Sequence, residues 1–164
     1  MKSKIMEKRN LEKGAIKCFL PLYNEEKGTS FVVKSHSDKP DFIICDAKKN
    51  FEMGVEIAHL YYDPKEAKMI LGRSKNNTHG LMIFNKLIDE LNQLLLNKSS
   101  DVKHYYYESD IILVVRVISP IFSSDAFEMY KKDIKVPISK FSEIWLLTRS
   151  PKSSGPWDTI QRIS

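Results

Sequence analysis

Long apolar runs are missing from this 164-residue chain. No stretch reaches the roughly 18 uninterrupted apolar residues of a membrane helix, and the opening MKSKIMEKRNLEKG lacks the apolar middle of a secretory signal. No membrane partner and a cytoplasmic location are therefore expected. Cysteine is scarce. Cys18 and Cys45 stand alone, without CxxC or Cys/His spacing, which argues against a structural zinc and against a disulfide framework and leaves both as core filler. The four histidines, at positions 36, 59, 79 and 104, fall in four different segments, and none pairs with another at metal-ligand spacing. There is no GxxxxGK[ST] or GxGxxG pattern, and SPKSSGP near the C-terminus has no nucleotide-binding spacing, so nucleotide-cofactor chemistry is disfavoured. Internal repeats, low-complexity segments and interdomain linkers are absent too. With 42% hydrophobic and 29% charged residues, residues 1–164 are expected to form one globular domain.

Charge of one sign is in modest excess. Lys and Arg number 26 against 21 Asp and Glu, a formal net charge of +5, which favours polyanion partners by long-range attraction. The excess is dispersed, with no block of five basic residues. The densest cluster, Lys2, Lys4, Lys8 and Arg9, is interleaved with acids and reads as a solvated helix face.

What is present is a succession of short periodic segments. Ile5, Leu11, Ala15, Ile16, Phe19 and Leu20 fit an amphipathic helix over residues 4–23 that ends near Pro21. SFVVKS, DFIICDA and MGVEIAHL, separated by polar breaks, read as three consecutive strands in a meander. Asp63–Pro64 signals a helix start, with KEAKMIL running to Gly72. The segment 78–97 carries a stripe of Phe84, Leu87, Ile88, Leu91, Leu94 and Leu95, with Lys86, Asp89 and Gln93 opposite, and needs a sheet to cover. SDIILVVRVIS reads as a central strand buried on both faces. SSDAFEMYKKDI reads as a short helix capped by Ser123, Ser124 or Asp125, SEIWLLTRS as a strand with Trp145 in the core, and the tail as a loop closing on an edge strand. The predicted architecture is α/β: a mixed sheet with helices on its faces.

Two strands carry a carboxylate where a sheet core prefers hydrocarbon. Glu56 shares a face with Ala58 and Leu60, and Asp41 is grouped with Ile43 and Cys45, so neighbouring strands can bring both acids to one face near one end of the sheet. Two carboxylates without cations repel and are costly to desolvate, a cost that a divalent metal with oxygen ligands relieves. The alternative is that Asp41 satisfies turn amides while Glu56 pairs with a nearby lysine at an edge.

Pro40–Asp41 at the head of one strand, then Glu56 in GVEIA in the next, preceded by a helix and followed by helix and strand over residues 5–118, resembles the PD-(D/E)xK, or restriction-endonuclease-like, nuclease superfamily. The resemblance implies an αβββαβ core. In it Asp41, Glu56 and the backbone carbonyl of Ile57 would bind Mg²⁺ (or Mn²⁺), with Asp41 and Glu56 the catalytic acids of a nuclease that hydrolyses nucleic-acid phosphodiesters, DNA before RNA. The oligomeric state is left open, a homodimer included. One position departs from the pattern: the lysine expected two residues after the glutamate is Ala58, which can neither orient water nor stabilise developing charge. Lys34, Lys39, Lys68, Arg73, Lys75 and Lys86 are the substitutes considered, and none is assigned. The departure keeps open a catalytically inactive binding module on the same fold. Neither acid is expected to be a packing residue, and Asp46 and Glu52 are expected on the solvent side of the hairpin. Tyr105, Tyr106 and Tyr107 of HYYYE are expected to pack over a strand end before offering a ring to a base. GRSKNNTHG, with Arg73 and Lys75, suits phosphate contact and equally any exposed loop.

Overall fold

A computed structural model describes residues 2–61, 77–118, 122–151, 155 and 157–164. Helix α1 (Lys2–Lys27) opens the fold, followed by β1 (Val32–His36), β2 (Phe42–Asp46) and β3 (Phe51–Leu60). Then come α2 (Asn77–Asp101), β4 (Ile111–Val117), α3 (Ser124–Met129), β5 (Phe141–Thr148) and β6 (Thr159–Arg162). The six strands form one mixed sheet in chain order, β1 to β6. β1, β2 and β3 are an antiparallel meander, β3, β4 and β5 run parallel, and β6 returns antiparallel. The α/β class and the three-strand meander are as the sequence predicts. The helix predicted from Asp63 to Gly72 lies outside the described residues, as do Lys68, Arg73 and Lys75. No helix among the described residues is long and apolar enough to cross a membrane.

Each face of the sheet carries its own core. Phe19, Leu20 and Tyr23 of α1 cover Phe42, Val55, Ile57, Val114 and Trp145 on one face. The α2 stripe covers Ala58, Leu60, Leu113 and Val115 on the other. Leu87, Leu91 and Leu95 are fully enclosed, each such side chain contributing about 1.5–3 kcal/mol. All seven residues of β4 are buried, because apolar layers press on it from both sides.

Helix α1 does not stop at Pro21. It continues through it for six more residues, to Lys27. Pro21 lies on the exposed side, so the carbonyl it cannot serve meets water, while buried Phe19, Leu20 and Tyr23 hold the helix to the sheet. Gly28 ends it: with φ at 65°, it turns the chain so that the Thr29 amide donates to the Asn24 carbonyl at 3.0 Å. Cys18 and Cys45 are free and half-buried, not enclosed: Cys18 packs at the border of the core under α1, and Cys45 lines a small surface cavity with Lys34 and Glu52. Ser123 takes the N-cap position of α3 in extended conformation, without a side-chain cap bond.

Candidate functional site

Strand β2 begins at Phe42, opposite Val55. Past that pair β3 has β4 on one side only, and the edge it leaves toward β2 is filled by Asp41. A glycine makes this possible. A Cβ on Gly54 would lie 2.5 Å from Pro40 Cγ, so the bare backbone of β3 lets the proline ring lie against it and places Asp41 beside Glu56.

The two acids interlock. The Asp41 amide donates to Glu56 Oε1 at 3.3 Å, and the Ile57 amide donates to Asp41 Oδ2 at 2.8 Å. Both side chains are buried, at 5% and 2% exposure. The expectation that neither acid packs is therefore corrected: each satisfies a backbone amide that β2, by ending, leaves without a strand partner. Burial, and after it the Glu56 charge, push the Asp41 carboxyl up to about 8, against the lowering effect of the Ile57 amide. Both effects favour the neutral carboxyl of Asp41 over its charged form.

Glu56 Oε2 has two further partners. Lys98, on the last turns of α2, places Nζ at 3.2 Å, and the Tyr105 hydroxyl donates to the same oxygen. Burial and this bond raise the Tyr105 pKa, so the phenol stays protonated. From α1, buried Glu12 approaches the other side, bonded to His36 Nε2 at 2.8 Å and paired with Lys8 at 3.7 Å, and its charge also acts on Asp41.

Lys98 was not among the predicted substitutes for the missing lysine. Its signal was present: it stands three, four and seven residues after Leu95, Leu94 and Leu91, so the apolar stripe, continued one turn past the predicted helix end, points it at the sheet. The predicted basic residues are elsewhere. Lys34 reaches Glu52 at 2.6 Å on the outer surface of the hairpin, and Lys39 and Lys86 are exposed. Glu52 is on the solvent side as expected. Asp46 is not: it is buried and accepts the amides of Ser30, Lys48 and Lys49, which hold its carboxyl below the usual range. Of the three tyrosines, Tyr105 packs at the strand end and reaches the acids, Tyr107 donates to Glu52, and Tyr106 is fully exposed.

The donors suit a hard divalent cation. Along β3 the Gly54 amide and the Leu60 carbonyl bond toward β4, so the amide and carbonyl of Ile57, at the opposite parity, project to the open edge where Asp41 sits. Two carboxyl groups and one carbonyl there would offer oxygen donors alone, the type Mg²⁺ and Mn²⁺ prefer. Among the described residues no three His, Cys, Asp or Glu side chains converge on one point, so the carbonyl would be needed as the third protein ligand.

A cavity of about 310 Å³ adjoins the site, lined by His59, Tyr61, Gln93, Leu94, Asn97 and Lys98 among others. Among the described residues neither ring nitrogen of His59 has a partner, and burial, followed by the charge of Arg116, pushes its pKa down to about 4. A larger, mostly apolar groove between α1 and β1 includes neither Asp41 nor Glu56 in its lining. Comparisons with protein-family models, with curated proteins and with solved structures give no match.

Proposed function

We propose that the protein is a divalent-metal-dependent nuclease acting on DNA phosphodiesters, with Asp41, Glu56 and the Ile57 carbonyl as metal ligands and Lys98 in the role of the missing motif lysine. The observation that carries the reading is the convergence, at one open strand edge, of two buried carboxylates with an ammonium 3.2 Å from one of them. The helix, three-strand, helix, strand order of the chain agrees with it.

The roles follow from the geometry. Mg²⁺ held there would supply Lewis acidity toward the phosphate and lower the pKa of a bound water. Asp41 must ionise to become a ligand, and a cation would offset the burial and, after it, the Glu56 charge that raise its carboxyl. Lys98 approaches from α2 and borders the neighbouring cavity, a position from which its ammonium can orient water or meet the charge that develops on the phosphate. Tyr105 holds the Glu56 carboxylate still.

Nicking of supercoiled DNA by the purified chain in Mg²⁺ or Mn²⁺, and its loss in EDTA, tests the reading. Asp41→Asn and Glu56→Gln are preferable to alanine because they keep an oxygen for the backbone amides that the acids serve. Each is expected to cut activity at least about 100-fold, the scale of removing one preorganised electrostatic group. Undiminished nicking by either variant removes the proposal.

Ala58 at the motif position, and a Glu56 oxygen already shared by Lys98 and Tyr105, favour a second reading: a closed, inactive carboxylate network in a binding module. Calorimetric titration with Mn²⁺ separates the two. Saturable uptake that Glu56→Gln abolishes belongs to the nuclease, and absence of uptake belongs to the binding module.

A further inference from the structure

At the carboxyl ends of the parallel strands, Arg116 is the last residue but one of β4 and Arg149 follows directly on β5. Both guanidinium groups lie on the ring of Trp157, with Cζ at 4.3 Å and 4.1 Å from its centroid. The indole is pinned to the sheet, its Nε1 donating to the Val117 carbonyl at 2.7 Å. Arg116 is about nine-tenths buried, yet among the described residues its Nε has no hydrogen-bond partner, and neither does the Nε of Arg149. The one hydrogen bond seen for the Arg116 guanidinium runs from Nη1 to the Leu11 carbonyl at 3.3 Å, under α1 at a point where a Cβ on Gly14 would lie 3.3 Å from the same nitrogen. Among the described residues, neither guanidinium pairs with a carboxylate.

This arrangement is costly without an anion. Two permanent cations share one ring, and each repels the other. His59, in register with Arg116 on the adjacent strand, adds a ring with both nitrogens unpartnered. It also lines the cavity that Lys98 borders.

We infer that Arg116, Arg149 and His59 form a phosphate-binding locus for the DNA backbone at the carboxyl ends of β3, β4 and β5. The guanidinium fork suits phosphate oxygens better than a lysine would, and Trp157 holds two such forks in fixed orientation. The bonds are made to phosphate, so they set the position of the duplex and carry no sequence preference. The inference rests on the nuclease reading for the identity of the ligand, but not for its chemistry.

The test is binding without cleavage. Fluorescence anisotropy of a labelled DNA duplex, in EDTA, is measured over a series of salt concentrations for the parent, Arg149→Gln, Arg116→Met and Lys132→Gln, the last an exposed lysine outside the locus. Arg149→Gln and Arg116→Met are expected to weaken binding about tenfold, with the slope of log K against log salt shallower by about one for each phosphate that is no longer neutralised. Lys132→Gln is expected to behave as the parent. Thermal melts accompany each variant, and should Arg116→Met fail to fold, the half-buried Arg149 decides. Unchanged affinity and slope in a folded Arg149→Gln overturn the inference and leave Trp157 and its arginines as a clamp for the tail. Uptake of inorganic phosphate by the parent without any uptake of DNA also overturns it, because the locus would then hold a free anion and no nucleic-acid backbone. Arginine-dependent DNA binding by a protein that never nicks would sustain this locus while ending the nuclease reading, and nicking with arginine-independent binding would do the reverse.

Discussion

Lys98 reaches Glu56 across 42 positions of chain, its Nζ 3.2 Å from Oε2. An ammonium delivered by the helix thus lies beside Glu56, whereas Ala58 on the same strand carries no charge. If Lys98 supplies the charge that Ala58 lacks, Lys98→Met should reduce metal-dependent cleavage by about 10²–10³-fold in single-turnover assays. Mn²⁺ affinity should hold or rise, because the ammonium competes with the metal for the Glu56 oxygen. Lys98→Arg should recover part of the rate. Cleavage by Lys98→Met at the parent rate would return the lysine to a purely structural role.

Asp41 makes the fold sensitive to pH in a defined direction. Its carboxyl is raised from 3.8 to about 8 in the native state, so between those values the folded chain holds a proton that the unfolded chain has released. Stability in EDTA should therefore fall as pH rises from about 4 toward about 8, at up to about 1.4 kcal/mol per pH unit, and level off above. Asp41→Asn should flatten this dependence and be more stable than the parent at pH 8. Urea titrations from pH 5 to pH 9 read both effects, and a parent whose stability rises through this window would contradict the protonated Asp41.

The same proton links metal to pH. Binding of Mg²⁺ or Mn²⁺ at pH 7 should release about one proton, because Asp41 must ionise to become a ligand. Titration calorimetry in two buffers of different ionisation enthalpy measures the number released. Equal apparent enthalpies in the two buffers would mean that Asp41 is already ionised or does not bind the metal.

Gly54→Ala tests how Asp41 is placed. The added Cβ would meet Pro40 Cγ at 2.5 Å and Ile111 Cγ1 at 3.3 Å, and a proline ring bends little. A loss of about 1–3 kcal/mol is expected from overpacking. Mn²⁺ affinity should weaken with it, because Pro40 carries Asp41. Gly155→Ala, where an added Cβ meets nothing within 4 Å, is the neutral control.

Tyr105→Phe separates support from chemistry. Loss of the hydroxyl should cost about 1–3 kcal/mol, the range for a hydrogen bond to a charged group. Cleavage should fall less than tenfold, since Lys98 still restrains Glu56. A loss as deep as that of Lys98→Met would make the phenol part of the reaction.

Much of the scaffold was legible because it is local. Alternation in DFIICDA and MGVEIAHL, the unbroken apolar run of IILVVRV and the stripe from Phe84 to Leu95 each follow from a repeat that the backbone geometry imposes. Pro21 misled the prediction of α1 because a proline ends a helix only where tertiary packing does not outweigh the lost bond. Asp46 misled it as well, since an acid at a turn can be solvated or can cap buried amides, and its neighbours in sequence do not decide which.

The sequence by itself determined the strands, the two long helices, and the fact that Asp41 and Glu56 can share a face. Those are consequences of periods of two and 3.6 residues, which act between near neighbours. Only the tertiary structure decided that β2 ends where Asp41 begins, that Lys98 from α2 and Tyr105 from beyond it meet Glu56, and that Arg116 and Arg149 share one indole. Such meetings depend on how two faces of a sheet are covered and on which backbone groups are left without a strand partner, and no local repeat encodes them.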